Sequence, residues 1–463
     1  MTNETEELEA ADPTPGAHGR DEAADLPPPA PTPDGADLGR RRFFRQFAGD
    51  LIQAAATVAG AAGALQRTSA EAANALLDPA GTAGPPGFDP VTANLVRPAV
   101  FGTPLRLEDV ALVLVDQRKL PDAVIEYECM TAADVAYAIR ERVVRGTPAI
   151  GQVSALGMAL AARRMREAGA PARRAALLAA AHGFLNARPS SITVRRAVDR
   201  MLARYEAVAD PSEDGAAIAS SLRLEADAIV LEATDAHWRI AGHGLAEMPV
   251  PVDHPLRVLT IGNSGVLACG LSGTALGVVT AAAAAGRELH VLVGETRPLL
   301  QGARLTAWEL DNAGIPYTVI ADAAAATRLA RGEVDIVLVA ADRIAANGDL
   351  VGVLGTYPLA VLAARHGVPF VACAPLATFD PESAAGGDLP IDTRGASDMA
   401  LGVPTGMPPA YIGTPDPVPV GDVTPADLVS AIVTDEGVLR QPFGPALAAA
   451  AGAAAARRRG RPS

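Results

Sequence analysis

Asp342 directly follows an apolar run, within the segment at residues 339–344 (VAADRI). The apolar run is typical of a buried strand, so the carboxyl group stands where a strand ends and a ligand cleft can begin. A carboxyl group among small apolar residues is suited to proton transfer. The structural alternative is that Asp342 caps the following turn or pairs with Arg343.

Two other segments have residue types that can hold an anion. Residues 145–151 (RGTPAIG) place Arg145 at a helix end, before a Gly/Pro turn with exposed amides, which is a suitable phosphate cradle. Residues 263–265 (NSG) precede a Gly- and Ala-rich helix whose N-terminus can also attract an anion. The structural alternatives are a simple turn at 145–151 and close helix packing after 265.

The elements that must position these residues alternate in the second half of the chain. Apolar, β-type runs are separated by segments of helix length, and this pattern predicts a parallel sheet with helices on both faces, a Rossmann-like α/β fold. Ligands of such sheets bind beyond the carboxyl ends of the strands, here after 261, 293 and 339. The predicted strands are 256–261, 288–293, 315–320, 334–339 and 368–373, and the predicted helices are 270–285, 302–313, 323–330 and 358–364.

The preceding part of the chain is predicted to be a smaller, mainly helical domain with short strands, over 99–215. It has a β-rich run at 110–115 and helical patterns at 131–144, 152–168, 171–187 and 191–207. The Rossmann-like domain is assigned to 216–446, beginning with a helix at 216–248. An Ala/Arg-rich tail follows at 447–463.

Composition restricts the class of protein. The 463 residues are 49% hydrophobic with a net charge of −14, so nucleic acid is a poor default partner. No apolar run of about eighteen residues predicts a membrane span. The three cysteines form no C-x-x-C pair, which favours a reducing, cytoplasmic setting. The seven histidines show no ligand spacing, so no metal or cofactor is predicted.

The first 98 residues differ from the rest. Residues 1–39 contain ten acidic residues and one arginine and have no apolar period, so they are predicted to be disordered. An amphipathic helix is predicted at 43–65, either as a loosely packed appendage or as an arm that docks on a protein partner or a membrane surface. A twin-arginine export signal at 40–72 is the less favoured alternative, because about forty residues precede it and Asp50 interrupts it. Residues 79–98 are predicted to be a linker.

The order and spacing of several motifs over roughly 101–440 resemble the methylthioribose-1-phosphate isomerase family. Its superfamily includes ribose-1,5-bisphosphate isomerase and the regulatory subunits of the exchange factor for eukaryotic initiation factor two. The two longest motifs are 301–309 (QGARLTAWE) and 341–349 (ADRIAANGD). The others are 115–117 (VDQ), 119–121 (KLP), 145–151, 188–190 (RPS), 273–277 (GTALG), 295–298 (ETRP) and 355–357 (GTY).

The resemblance implies an aldose–ketose isomerase acting on a phosphorylated sugar, with no cofactor, and a homodimer. The family's catalytic aspartate corresponds to Asp342. Its substrate-binding arginines and glutamine correspond to Arg145, Arg188 and Gln301. The backbone beside Arg145 also contacts the substrate in the family, and the corresponding residues here are Gly146 and Thr147.

Three family positions are altered. The family has a catalytic cysteine after the first strand of its second domain, and Gly262 stands there in this chain. An Asn-Lys pair that grips the substrate in the family is Gly352-Val353 here. The catalytic machinery is therefore expected to be altered. Cys269, seven residues on and two turns along a continuous helix, would be about 10 Å away, so it is expected to be a core residue and no substitute.

Three functions remain open at this point. The first is an isomerase of the methylthioribose-1-phosphate type with altered machinery. The second is an isomerase for a different phosphorylated sugar or a nucleotide. The third is a catalytically silent binding or regulatory protein, favoured by the missing cysteine and lysine.

Overall fold

The computed structural model describes residues 103–209, 214–394 and 418–459. The predictions for residues 1–98, including the helix at 43–65 and the export signal at 40–72, lie outside the described residues. Residues 460–463 of the predicted tail lie outside them as well.

The first part of the described chain packs five helices against a three-stranded antiparallel sheet. The strands are β1 (Leu105–Leu107), β2 (Leu112–Val115) and β3 (Glu126–Cys129), adjacent in that order. The helices are α1 (Ala132–Arg140), α2 (Thr147–Arg164), α3 (Ala170–Ala187), α4 (Ile192–Val208) and α5 (Gly215–Glu247). Helix α2 is buried along almost its whole length and packs against the other four helices.

Helix α1 begins as the sequence predicts but ends early. The Thr131 hydroxyl accepts a hydrogen bond from the Asp134 amide, and the Asp134 carboxylate accepts one from the Thr131 amide, which satisfies two free donors of the first turn. The predicted end at residue 144 is wrong. Arg142 has a left-handed backbone with φ of 59°, which stops the helix. Val143 and Val144 are buried beyond it, and their apolar character extended the helical pattern.

A seven-stranded sheet forms the second part. Its order is β16-β15-β10-β7-β4-β5-β6, and only β16 runs antiparallel to its neighbour. All five predicted strands are confirmed, with small shifts at their ends. The strands after β3 are β4 (Leu256–Thr260), β5 (Leu289–Gly294), β6 (Tyr317–Ile320), β7 (Ile336–Ala340), β8 (Arg343–Ala345), β9 (Leu350–Val353), β10 (Phe370–Cys373), β11 (Phe379–Asp380), β12 (Thr393–Arg394), β13 (Val418–Pro419), β14 (Gly421–Thr424), β15 (Ala431–Thr434) and β16 (Gly437–Leu439).

Strand order reverses between β4 and β7. From β4 the chain proceeds to β5 and β6 on one side, then returns to β7 on the other side of β4 and continues to β10. The loops after β4 and β7 therefore diverge at their carboxyl ends and leave a crevice between them. Both loops carry residues that the sequence singles out.

The predicted helix at 270–285 is the one that changes most. Residues Val266–Cys269 form a short helix, α6, and Gly270 ends it with φ of 105°. The main helix starts only at Ala275. The later helices are α7 (Ala275–Ala284), α8 (Ala307–Ala313), which continues a π-helical turn at Gly302–Thr306, α9 (Ala325–Ala330), α10 (Thr356–His366) and α11 (Phe443–Arg459).

Two smaller sheets and the last helix complete the described chain. A four-stranded sheet has the order β11-β8-β9-β14, and β12 pairs with β13. Helix α11 covers much of the segment assigned to the tail, and Leu447, Ala450 and Ala454 are buried in the core. Helix α5 contributes to two apolar cores, with Leu222 in the helical part and Ile240 beside the large sheet. Among the described helices, none is both long and apolar enough to cross a membrane.

Candidate active site

A cavity of about 90 Å³ opens at the carboxyl ends of β4 and β7, facing the start of α2. This is the position at which the strand order reverses. Its wall contains eight of the nine residues that the sequence predicts for the site: Arg145, Gly146, Thr147, Arg188, Gly262, Gln301, Asp342 and Val353. The ninth, Gly352, lies beside the wall residue Val353.

Arg145 joins the two halves of the cavity wall. Its guanidinium donates hydrogen bonds to the Gln301 side chain, to the Asn263 carbonyl at 2.9 Å and to the Asn263 amide oxygen at 2.6 Å. Its Nε is buried without a hydrogen-bond partner. Burial lowers the pKa of Arg145 to about 10, which leaves the guanidinium charged at neutral pH.

The turn after Arg145 requires glycine. Gly146 has φ of 95°, and a Cβ there would lie 2.4 Å from the backbone of Ala268. Only a residue without a side chain allows the start of α2 to approach α6 this closely. The first turn of α2 is thereby held at the cavity.

Asp342 is the second residue after β7 and is half-buried. Its carboxylate accepts a hydrogen bond from the Thr147 hydroxyl, so the acid is oriented by the first residue of α2. The alternative pairing with Arg343 is wrong, because Arg343 forms an ion pair of 2.7 Å with Asp380 and donates to the Ser190 carbonyl. The Asp342 carboxylate therefore stays available on the cavity side.

Arg188 brings a second positive charge to the wall. It forms an ion pair of 2.5 Å with Asp392, and both side chains are about one quarter exposed. Burial lowers the pKa of Arg145, the Asp342 and Glu309 charges oppose this shift, and the Arg188 charge adds a smaller lowering. Two guanidinium groups thus bring positive charge to one cavity, which suits an anion.

A buried glutamate that the sequence analysis assigned no role fixes the loop after β4. Glu309 accepts hydrogen bonds from the Asn263 side chain and from the Val266 amide, each at 2.7 Å. Burial raises the pKa of Glu309. The sequence did contain a signal that Glu309 has a role: it is the one acid in the motif at 301–309, and it lies on a largely buried helix face.

The altered family positions pack against one another. Gly262 has φ of 78°, and a Cβ on it would lie 3.0 Å from a methyl group of Val353. A Cβ on Gly352 would lie 2.6 Å from the Thr356 hydroxyl oxygen. The wall at these positions is therefore a closely fitted apolar surface.

Cys269 also lines the cavity, although the sequence analysis placed it two helical turns from residue 262. The premise of a continuous helix was wrong, because the chain from 262 to 265 is not helical and α6 has only four residues, while Cys269 is buried as expected. The Cys269 thiol lies 3.6 Å from the Ser264 carbonyl, and burial raises its pKa to about 12. Cys129 and Cys373 are buried in the two apolar cores.

The wall thus combines three arginines (Arg142, Arg145 and Arg188), one oriented carboxylate and an apolar face. Within the described part of the chain, Asp342 is the only carboxylate in this wall, and Cys269 is a protonated thiol near neutral pH. The arrangement can hold a phosphate and move a proton at one carboxyl group.

The fold and this crevice define a Rossmann-like α/β protein with a helical part beside the ligand site. The family model "Initiation factor 2 subunit family" matches residues 143–441. The chain belongs to this family, which includes enzymes and translation factor subunits.

Curated and solved relatives agree with that assignment. A methylthioribose-1-phosphate isomerase of Chloroflexus aurantiacus is 46% identical over 73% of this chain and 94% of its own length. One from Pelotomaculum thermopropionicum is 44% identical over 72% and 90%. The crystal structure of 5-methylthioribose 1-phosphate isomerase from Pyrococcus horikoshii has a TM-score of 0.69 and 32% identity, over 78% of this chain and 98% of that one. Translation initiation factor eIF-2B subunit delta from A. fulgidus has a TM-score of 0.64 and 32% identity, over 74% and 98%.

Proposed function

We propose that this chain is an isomerase that converts 5-methylthioribose 1-phosphate to the corresponding ketose 1-phosphate. The observation that carries the proposal is the Asp342 carboxylate, oriented by Thr147 and placed beside Arg145 in one cavity. The similarity to curated isomerases over almost their full length supports the same reaction.

The phosphate is proposed to bind between the two arginines. Arg145 and Arg188 supply charge, Gln301 an amide, and Gly146 and Thr147 the backbone at the start of α2. A cavity of about 90 Å³ has room for about three water molecules, so substrate entry must displace contacts across it. The bonds that must give way are those of Arg145 with Gln301 and Asn263, and the pair that Arg188 forms with Asp392.

The reaction needs one proton relay. The ring C1–O4 bond breaks and O4 gains a proton, while the hydroxyl on C2 loses its proton and becomes the ketone. The hydrogen on C2 moves to C1. Asp342 is proposed to give its proton to O4 and then to take the proton of the C2 hydroxyl, which returns the carboxyl group to its starting state.

The altered wall favours direct movement of hydrogen from C2 to C1. A route through an enediol needs a base that removes the C2 hydrogen as a proton, and the wall has glycine and valine at the altered positions. A direct shift of the hydrogen with its electron pair needs no such base. The apolar pair Gly262 and Val353 would keep water away from the migrating hydrogen.

A catalytically silent ligand-binding protein is the second candidate. The absence of a thiol at residue 262 and of a cation at residue 353 favours it. Such a protein would use the two arginines to bind a sugar phosphate without turning it over. An isomerase acting on a different phosphorylated sugar would retain Asp342 and differ in the wall around Leu299 and Val353.

A direct assay separates these functions. Conversion of methylthioribose 1-phosphate by the full chain is followed by ¹H and ³¹P NMR, beside Asp342→Asn and the exposed control Asp311→Asn. We expect turnover in the wild type and the control, and a loss of about 10²–10⁴-fold or more in Asp342→Asn with the phosphate still bound. Binding without turnover in the wild type would favour the silent protein. Turnover that survives in Asp342→Asn would refute the role of Asp342.

The oligomeric state, the cellular location and the division into domains are proposed on less specific grounds. A homodimer follows from the family resemblance. A cytoplasmic location is supported by the free thiols of all three cysteines, which are typical of a reducing compartment. The proposed division into a helical domain and a Rossmann-like domain is supported by separate apolar cores, and helix α5 contributes to both of them, so the proposed boundary lies within that helix and not at residue 216.

A further inference from the structure

Asn263, in the loop after β4, presents hydrogen-bond acceptors to the candidate active site. It lies in the wall of the 90 Å³ cavity. Its amide oxygen and its backbone carbonyl accept hydrogen bonds from the Arg145 guanidinium at 2.6 and 2.9 Å. Two acceptor atoms of the wall are thus held by the same cation that the phosphate is proposed to attract.

The orientation of the Asn263 amide is fixed by two acceptors behind it. Its nitrogen donates to the Glu309 carboxylate at 2.7 Å and to the Thr306 hydroxyl oxygen at 3.2 Å. Thr306 donates its own proton to the Gly262 carbonyl at 2.7 Å, so toward Asn263 it can only accept. Both oxygens of Glu309 also receive backbone N–H groups, so they act as acceptors as well. The amide oxygen must therefore face Arg145.

A π-helical turn at Gly302–Thr306 brings these supports to one side of the chain. Gln301 and Thr306 are five residues apart, which is the hydrogen-bond repeat of a π-helix. Gln301 accepts from Arg145, while Thr306 holds Asn263. The bonds that orient Asn263 do not involve Arg145, so its amide oxygen stays at the cavity when Arg145 moves.

Movement of Arg145 toward a phosphate leaves the acceptors of Asn263 in need of new donors. Buried acceptors are normally paired, because leaving them unpaired costs free energy. The oxygens of a phosphate monoester dianion carry no proton, so they cannot donate to these acceptors. A sugar hydroxyl can donate. The C2 hydroxyl is assigned to Asp342 in the proposed reaction, which leaves the C3 hydroxyl as the available donor on the ring.

We propose that Asn263 is a further substrate-binding residue, whose amide oxygen accepts a hydrogen bond from the C3 hydroxyl of the sugar when the phosphate draws Arg145 away. Glu309 is the positioning residue that holds this oxygen at the cavity. The inference rests on the proposed phosphate site at Arg145. It makes the site selective for ring phosphates that carry a hydroxyl at C3.

Two unreactive ring phosphates test the proposal on the full chain. One is 2,3-dihydroxycyclopentyl phosphate with the ribose configuration, and the other is 2-hydroxycyclopentyl phosphate, which lacks only the second hydroxyl. Neither has a ring oxygen, so neither can open or isomerise. Calorimetry at pH 8, where both are dianions, gives the dissociation constants. We expect the wild type to bind the diol about fivefold or more tightly, the effect of one hydrogen bond to a buried acceptor.

Variants of Asn263 and a matched control locate the contact. Asn263→Leu removes the amide at similar size, and we expect it to bind the two probes about equally. Its affinity for the 2-hydroxy probe should equal or exceed that of the wild type, because Arg145 loses a competing acceptor. Asn312→Leu is the control, since Asn312 donates to a carbonyl of its own helix, at Trp308, and it should keep the preference.

Two further variants test the role of Glu309. Glu309→Gln keeps the size of the side chain but lets the Asn263 amide turn, so we expect a smaller preference for the diol. Adding Asn263→Asp should restore the preference, because a carboxylate presents an oxygen in either orientation. A residue that only stabilised the fold would change both affinities together and would not be rescued in this way.

The contrary results are equally definite. Equal binding of the two probes by the wild type, or a preference that survives in Asn263→Leu, would refute the contact. An equal loss of affinity for both probes in Asn263→Leu would show a structural role only. An unchanged preference in Glu309→Gln would refute the positioning role of Glu309. If neither probe nor inorganic phosphate binds, the phosphate site fails together with the inference; if the wild type binds both probes equally but still isomerises the sugar phosphate, the inference alone fails.

Discussion

Adding a side chain at residue 262 is expected to destabilise the protein, and its contact with Val353 determines the size of the loss. Gly262 has φ of 78°, a region that costs a residue with a Cβ about 1–2 kcal/mol. The added Cβ would also lie 3.0 and 3.3 Å from the two methyl groups of Val353, closer than ordinary contact. Overpacking of this kind costs about 1–3 kcal/mol.

The smallest test is Gly262→Ala in a double-mutant cycle with Val353→Ala. We expect Gly262→Ala alone to lower the free energy of unfolding by about 2–5 kcal/mol. In the Val353→Ala background the crowding is gone, and only the backbone cost of about 1–2 kcal/mol should remain. The expected coupling between the two sites is therefore about 1 kcal/mol or more.

Urea unfolding of the four proteins, followed by circular dichroism, measures the cycle. A coupling free energy near zero would refute the packing of residue 262 against residue 353. An unchanged stability in Gly262→Ala would refute the conformational cost as well. The same reasoning predicts that Gly262→Cys is better tolerated in combination with a change at Val353 than alone.

Three other predictions test separate parts of the structure. Burial lowers the pKa of His237 to about 4, so between about pH 6.5 and 4 the unfolded chain binds a proton that the native state excludes. The free energy of unfolding should therefore fall by about 3 kcal/mol as the pH falls through that window. Unfolding measured as a function of pH should show that His237→Phe removes this dependence. Asp392→Asn should free Arg188 and tighten phosphate binding about fivefold in calorimetry; an unchanged affinity would mean that Arg188 does not hold the anion. Substrate deuterated at C2 should keep its deuterium at C1 when it isomerises in H₂O, and NMR that shows complete exchange with solvent would refute the direct shift.

The sequence predicts elements well where a long apolar run must be buried. The segments at 256–261 and 334–339 are such runs, and both form central strands of the large sheet. Strands β8, β9 and β14 have only three or four residues, and β9 and β14 include glycine, so their periodicity is too short to detect. Helix α11 is mostly alanine and arginine, and only packing shows which of its faces is buried.

The site was predictable residue by residue but not as a set of contacts. Motif positions that match the family indicate Arg188 and Asp342 as functional candidates, and Asp342 also follows a buried strand, where a ligand cleft can begin. They give no means of finding that Asp392 pairs with Arg188, or that Thr147 orients Asp342, since these contacts join distant segments. Glu309 was missed for the same reason, because its three hydrogen-bond partners lie in the loop after β4 and at the start of α6.

The altered positions are best understood as one packing unit. Val353 occupies the space that a Cβ on Gly262 would need, and the Thr356 hydroxyl occupies the space that a Cβ on Gly352 would need. Thr356 in turn donates to the Val353 carbonyl, which fixes the end of β9, the strand that carries Gly352 and Val353. A cysteine at 262 therefore conflicts with the side chain at 353, and a larger residue at 352 conflicts with Thr356. Restoring one family residue alone introduces strain before it restores chemistry, so an inactive Gly262→Cys variant would say little about catalysis unless residue 353 is changed with it.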